Sequence, residues 1–559
     1  MNRQRVWWVG CAAALLVVLG MAAGCGSGAA PSLGGEATKV TPTDDPIGER
    51  LFLDTRFSQY FATHMTGINA PLAAGDPVVA TVTTFGGVLP GPFAGKAINC
   101  RTCHYVTEFQ GVAGAGNRTY TDFTARSPIP RAMNGYTATP RNSMQMVGTF
   151  QPHGGPQFLH FDGEFASAED LVVGTMTGKN FGWGPADYKA ALAQIAAVIR
   201  GDNGSDDLAQ SRTNGLSYAV LFKGTDARIP ASILLTPSLR LDVTTASDAQ
   251  IVQLVAVCIG QYMKDLRFKQ DAYQRYVTSP YDVFLNANHL PMQPLAGESR
   301  GAYNQRLYAA VLALTNPTFV GPNDGTYAYH EYAFQFGATE LAGLKIFLKA
   351  ASGSGDGEHA GNCAACHGAP DFTDFSFHNT GVSQEEYDGA HGAGAFVALH
   401  VPGLAERNAN YDAYLPQNAS HPNATEAMRR PAGANPLYTD LGMWNIYANA
   451  AYPAPQANLQ SVVCAAGRDC SVDMGLGSTI ATFKTPMLRD LADSGPYLHN
   501  GSRNTLQQVV EFYIASSALA RAGQLRNAPP EFAQMSINGD DVQALVAFLV
   551  SLTEDYDDS

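Results

Sequence analysis

The pentapeptide Cys-x-x-Cys-His occurs twice in this chain of 559 residues, as Cys100-Arg101-Thr102-Cys103-His104 and as Cys363-Ala364-Ala365-Cys366-His367. Two thiols at this spacing can add to the vinyl groups of a porphyrin, and a histidine directly after the second thiol can reach the iron as its proximal ligand. A lone Cys-x-x-Cys also suits zinc or thiol redox chemistry, but a histidine in the same place both times speaks for haem. The chain is therefore expected to hold two covalently bound haem c groups. Cys100 and Cys103 would hold one, with His104 on its iron, and Cys363 and Cys366 the other, with His367 on its iron.

The N-terminus bears on the compartment. Arg3 and Arg5 precede an apolar run from Val6 to about Met21, followed by Ala22-Ala23-Gly24-Cys25. Residues 1–24 thus read as a signal peptide of lipoprotein type, with Cys25 carrying the lipid and anchoring the protein to a membrane. Ordinary cleavage nearby and an uncleaved anchor are the other readings, since about 19 residues can span a bilayer. All three export the protein, and the periplasm is where c-type haem is attached in bacteria. Residues 25–45, rich in Gly, Ala, Ser, Pro and Thr, read as a flexible tether. A net charge of −14 excludes a nucleic-acid surface. Of the remaining cysteines, Cys11 leaves with the signal, Cys464 and Cys470 flank a short loop suited to a disulfide, and Cys258 reads as a buried thiol.

Strand signals are weak throughout, while helical periodicity is clear over 186–200, 247–266, 339–350 and 540–553. The fold class expected is mainly α, with two cytochrome c-like haem lobes, long loops and a helical insertion. The N-terminal haem lobe with its insertion would occupy 46–335, and the C-terminal haem lobe 336–559. The insertion, from about 185 to 335, reads either as an inter-haem wall or substrate surface, or as packing alone.

Several segments resemble the bacterial dihaem cytochrome c peroxidase and MauG family. They include Ile47-Gly48-Glu49-Arg50-Leu51-Phe52-Leu53-Asp54, Phe158-Leu159-His160-Phe161-Asp162-Gly163 and Ser279-Pro280-Tyr281-Asp282-Val283-Phe284-Leu285. Beyond the second motif come Phe377-His378-Asn379-Thr380-Gly381-Val382, Phe483-Lys484-Thr485-Pro486-Met487-Leu488-Arg489, Pro496-Tyr497-Leu498-His499-Asn500-Gly501 and Leu506-Gln507-Gln508-Val509-Val510-Glu511-Phe512-Tyr513. The resemblance implies an oxidoreductase that takes hydrogen peroxide at the first haem, while the second stores or relays an electron. Its electrons would come from a donor protein, or its oxidising power would act on a protein substrate. Peroxidase-like members carry a methionine as distal ligand of the second haem and MauG-type members a tyrosine; Tyr513 stands at that position. The competing reading is that Tyr513 packs in the core and Met487 or Met535 ligates. The resemblance also implies a calcium ion between the lobes, at Asn142 and at the backbone carbonyls of Ser494 and Pro496. His378 and His499 read as haem contacts or as loop histidines.

The first site departs from the family. No histidine occurs between His104 and His153, which implies an open iron unless Met133, Met144 or Met146 closes it; His153 and His160 are further distal candidates. Phe161 occupies the place of the family's inter-haem tryptophan. The family's distal glutamate is not recognisable, Phe181 falling near its offset, with Trp183 and Asp187 close by. An apolar pocket of this kind would suit dioxygen, as in the related dihaem rubber oxygenases. Two six-coordinate irons would instead make a non-enzymatic electron carrier.

Overall fold

Ser247 opens the longest helix among the described residues with a reciprocal cap. Its hydroxyl accepts from Gln250 N at 3.3 Å, and Gln250 Oε1 accepts from Ser247 N at 2.9 Å. From there Asp248–Asp265 runs for 18 residues and buries Ile251, Leu254, Val255, Cys258 and Ile259 along one stripe. Helices Pro46–Leu53, Ala168–Met176 and Tyr188–Gly201 pack around it and build the first core, against whose edge Cys100 lies. This computed structural model describes residues 46–557 other than 85–86, 91–92, 105–140, 328–329, 331, 351–358, 419, 425–438, 466–471 and 493. The expected signal peptide, Cys11, Cys25, the tether, Met133 and Cys470 lie outside the described residues. Cys464 is disulfide-bonded. Among the described residues, no helix is long and apolar enough to cross a membrane.

The second core forms where helix Ala338–Leu348, which leads toward the second motif, meets helix Val542–Val550. A Cβ on Gly343 would lie 1.9 Å from the Ala544 carbonyl oxygen, so glycine alone lets the two backbones approach this closely. Helix Leu506–Arg521 closes the core, and Cys363 and Tyr513 border it. Helices Pro280–Ala287 and Arg300–Leu312 also belong to it. Tyr281 meets the rings of Phe372 and Phe548 edge to face at 5.4 and 5.8 Å. The hydrophobic cores thus divide near residue 280, a division of packing distinct from the lobe boundary expected near 335. Periodicity announces a helix without saying which core its stripe faces, and this apolar face meets rings that lie far downstream.

A third cluster is centred on Trp444, Tyr447, Leu415 and Leu459 and takes in Phe158 from the first half of the chain. Sheet is confined, among the described residues, to three two-stranded ladders, in keeping with the mainly α reading. One of them pairs Phe377–His378 antiparallel with Phe483–Lys484.

Buried ion pairs lock these parts together. Arg50 donates to both oxygens of Asp202 and to Asp206. Arg489 donates to Asp282 at 2.9 and 3.1 Å, to Glu554 at 2.5 Å and to the Pro370 carbonyl at 3.1 Å, and it lies over the Tyr276 ring. Removing one partner of such a set leaves uncompensated charge in the core. Arg489→Met should therefore destabilise the protein by about 3–5 kcal/mol in urea unfolding; a loss below about 1 kcal/mol would show that the two carboxylates relax to water.

Candidate haem sites

Asn99 shapes the first site. Its side chain accepts from Thr102 N at 3.0 Å, and Thr102 Oγ1 accepts from Asn99 N at 3.3 Å, which winds Cys100–Thr102 into a single turn. Asn99 Nδ2 donates to the Leu53 carbonyl at 2.7 Å and so ties that turn to the end of helix Pro46–Leu53. His104 Nδ1 lies 3.1 Å from the Met144 carbonyl. A carbonyl only accepts, so Nδ1 carries the proton and Nε2 keeps the lone pair that a metal needs.

The second site repeats this arrangement. Cys363–Ala365 forms one turn, and His367 Nδ1 donates to the Phe372 carbonyl at 2.9 Å. Cys100, Cys363 and Cys366 are free thiols. Burial, with help from the neighbouring thiol, pushes Cys100 and Cys363 up to about 12. Burial also lowers His104 to about 4, and it lowers His367, so both imidazoles stay neutral, the form that ligates iron. Paired cysteines beside a histidine held through Nδ1 fit a covalently attached haem at both motifs.

A cavity of about 270 Å³ opens at the second motif, and its walls include Cys363, Cys366, His367, Met487, Tyr513 and Met535. Tyr513 stands edge-on between Phe512 and Phe532, with ring centroids 5.8 and 5.6 Å away. Burial, followed by the charges of Cys366 and Cys363, raises the phenol above its ordinary value, so the side chain is neutral in the polypeptide. Met487 and Met535 are buried in the first and second cores respectively. All three distal candidates thus reach the same cavity.

Phe161 lines this cavity as well. It lies 6.3 Å from the His499 ring, which stacks on Phe483 at 3.6 Å. The Phe161 carbonyl accepts from Lys484 N at 2.7 Å. Asn142, Ser494 and Pro496 come together at the same wall. Asn142 Nδ2 donates to the Pro496 carbonyl and reaches the Leu498 carbonyl at 3.5 Å, and Asn142 N donates to His499 O at 2.6 Å. His378 Nε2 meets Asp374 at 2.6 Å; burial opposes its charge, but the Asp374 bond and the Cys366 sulfur hold it up to about 10. Once Cys366 is a thioether, its share of that effect is lost.

The other first-site candidates separate clearly. His153 stacks on Phe375 at 3.8 Å, beside the second cavity. His160 bonds Glu164 at 2.9 Å, and its charge helps to depress His104. Met146 and Phe181 are buried in the first core. Trp183 is buried there too, and its indole N–H donates to the Phe57 carbonyl at 3.3 Å. Asp187 accepts from Gly184 N at 2.9 Å. The last two are thus engaged in local structure.

Arg141, Asp440 and Glu164 escaped the sequence reading. Arg141 donates to Asp440 at 2.6 and 2.9 Å and to Asp162 at 2.7 Å, all buried. Arg141 is buried, and a buried guanidinium calls for a partner. Its partner Asp440, however, is 299 positions away and carries no motif of its own.

No family model matches the chain. The cytochrome-c peroxidase IdrP2 of Denitromonas iodatirespirans is 30% identical over 199 residues, covering 34% of this chain and 36% of that protein. IdrP2 of Pseudomonas sp. (strain SCT) is 32% identical over 121 residues, covering 22% and 28%. By sequence, the chain is a relative of the cytochrome-c peroxidases. The match spans about a third of the length of these relatives. Among solved structures, a MauG-like protein associated with microbial copper homeostasis aligns over 91% of this chain and 89% of its own, at 15% identity and a TM-score of 0.41. The dihaem peroxidase BthA of Burkholderia thailandensis aligns over 92% and 86%, at 15% identity and a TM-score of 0.42. Superpositions this loose carry no functional argument.

The holoprotein should yield two haems per chain in a pyridine haemochrome assay. Replacing Cys100 and Cys103 by serine should leave one, and so should replacing Cys363 and Cys366. Two haems persisting in either double variant would contradict attachment at that motif.

Proposed function

We propose that this relative of the peroxidases is an exported dihaem oxidoreductase of MauG and cytochrome c peroxidase type, reducing hydrogen peroxide at the His104 site. One observation carries the reading. Met144 holds His104 Nδ1 through its carbonyl and also lines the cavity of the second motif, so a single residue borders both sites. When bound, the two haems supply the two electrons needed to reduce one peroxide to water.

The polypeptide contributes orientation and proton handling. Met144 and Phe372 fix the two proximal imidazoles. The partly buried His160–Glu164 pair can hold a proton at His160 Nδ1 and hand it on, which is the service general acid–base catalysis asks of a site that cleaves an O–O bond. Tyr513 is proposed as the distal ligand of the second iron. Calcium is proposed at the Asn142 side-chain oxygen and the Ser494 and Pro496 carbonyls, the hard oxygen donors this ion prefers; the amide, whose Nδ2 donates to the Pro496 carbonyl and whose Oδ1 accepts from Ser143 N, would have to turn to ligate it. A protein electron donor or protein substrate, and membrane attachment through lipid on Cys25, complete the proposal.

Phe161 supports a second reading. An apolar ring at the cavity wall suits a dioxygenase acting on an apolar substrate. Peroxide titration of the oxidised holoprotein separates the two: the peroxidase reading requires turnover of an added reductant at two electrons per peroxide. Indifference to peroxide, with oxygen consumed on an apolar substrate, would overturn it.

Tyr513→Phe should keep both haems and raise the reduction potential of the second, because an anionic oxygen ligand favours the ferric state. An unchanged potential and spectrum would make Tyr513 a packing residue.

A further inference from the structure

The Phe483–Lys484 strand carries a cation that no carboxylate among the described residues neutralises. Lys484 is 8% exposed, and its Nζ donates to one acceptor, the Phe158 carbonyl at 2.7 Å. An ammonium has three N–H donors, so two remain unused. Burial lowers Lys484 to about 8, and no carboxylate among the described residues acts to hold it up. Four buried arginines differ. Arg50, Arg141 and Arg489 each pair with carboxylates. Arg407 has no carboxylate but spreads its donors over the Trp444, Tyr447 and Ala448 carbonyls and the Asn408 side chain.

Lys484 also lines the cavity of the second motif. Next to it, His499 is 5% exposed, stacks on Phe483, lines the same cavity, and leaves Nε2 without a hydrogen-bond partner. A buried ammonium is costly unless an anion and further hydrogen bonds satisfy it. A cavity wall with one unpaired cation and one unpartnered imidazole nitrogen is therefore complementary to a carboxylate brought in by a ligand.

We propose that Lys484 is the ion-pair partner of a carboxylate on the group that fills this cavity, a haem propionate, with His499 Nε2 as the adjoining hydrogen-bond site. The inference rests on reading Cys363, Cys366 and His367 as a haem attachment. Its functional consequence is electrostatic. A fixed positive charge beside the propionate favours the reduced iron, and so raises the potential at which the second haem accepts an electron.

The test uses full-length holoprotein, with haem content measured before potential. Lys484→Gln keeps a donor for the Phe158 carbonyl but removes the charge, and it should lower the midpoint potential of the second haem. Lys484→Arg should restore it. If the wild-type second motif holds no haem, the attachment reading fails. If both haems are present and Lys484→Gln leaves the second potential unchanged, or shifts only that of the first, Lys484 merely tethers Phe158 and the proposal is overturned. Should Lys484→Gln give no soluble protein, resonance Raman spectra of the wild-type holoprotein decide. The same potential measurement on Lys484→Arg at raised pH then serves as control, and the wild-type propionate bending mode of the second haem is compared with that of a solvent-exposed propionate: a mode displaced from the solvated one supports the ion pair, and a mode identical to the solvated one overturns it.

Discussion

The guanidinium of Arg141 is the joint on which the arrangement of the two sites depends. It is buried, with one edge bidentate on Asp440 and its remaining nitrogen on Asp162. Asp162 follows Phe161 directly, while Asp440 belongs to the segment that builds the third hydrophobic cluster. Such a pair adds little net stability compared with apolar packing, but losing one member leaves charge stranded in the core. Its role is best understood as specificity: it fixes which part of the second half of the chain faces the run that follows Arg141.

That run is short and every part of it is used. Asn142 bonds the 496–499 turn through backbone and side chain, and Met144 offers its carbonyl to His104. Asn142, Ser143, Met144 and Gln145 all line the cavity of the second motif. Four residues therefore couple one proximal histidine to the wall of the other site. Close spacing of this kind is what the proposed electron sharing between two haems would require. The two sites are nonetheless unequal. The second is framed by Tyr513, His499 and Lys484, and the first is accompanied by the partly buried His160–Glu164 pair.

Local signals were legible in the sequence; long-range pairing was not. The two motifs, the helices over 186–200 and 247–266, and the meeting of Asn142 with Pro496 follow from chemistry written in a few neighbouring residues or from the family resemblance. The division of the cores near 280 could not be read, because the stripe of Tyr281, Phe284 and Leu285 suits either core until Phe372 and Phe548 are brought beside it. Glu164 was hidden for a different reason. It lies four residues from His160, carries no motif, and is recognised only by the bond between them. Lys484 sat inside a quoted segment without a role, since nothing in sequence distinguishes a lysine with a counter-ion from one without.

The central claim is that two linked haems differ in function, one open to a small oxidant and the other closed by the protein. Electron paramagnetic resonance of the fully oxidised holoprotein tests this most directly. The account predicts a high-spin ferric signal from the His104 haem together with a low-spin signal from the His367 haem, the low-spin signal changing in Tyr513→Phe. Two low-spin signals with no high-spin component would contradict it and mark the protein as an electron carrier.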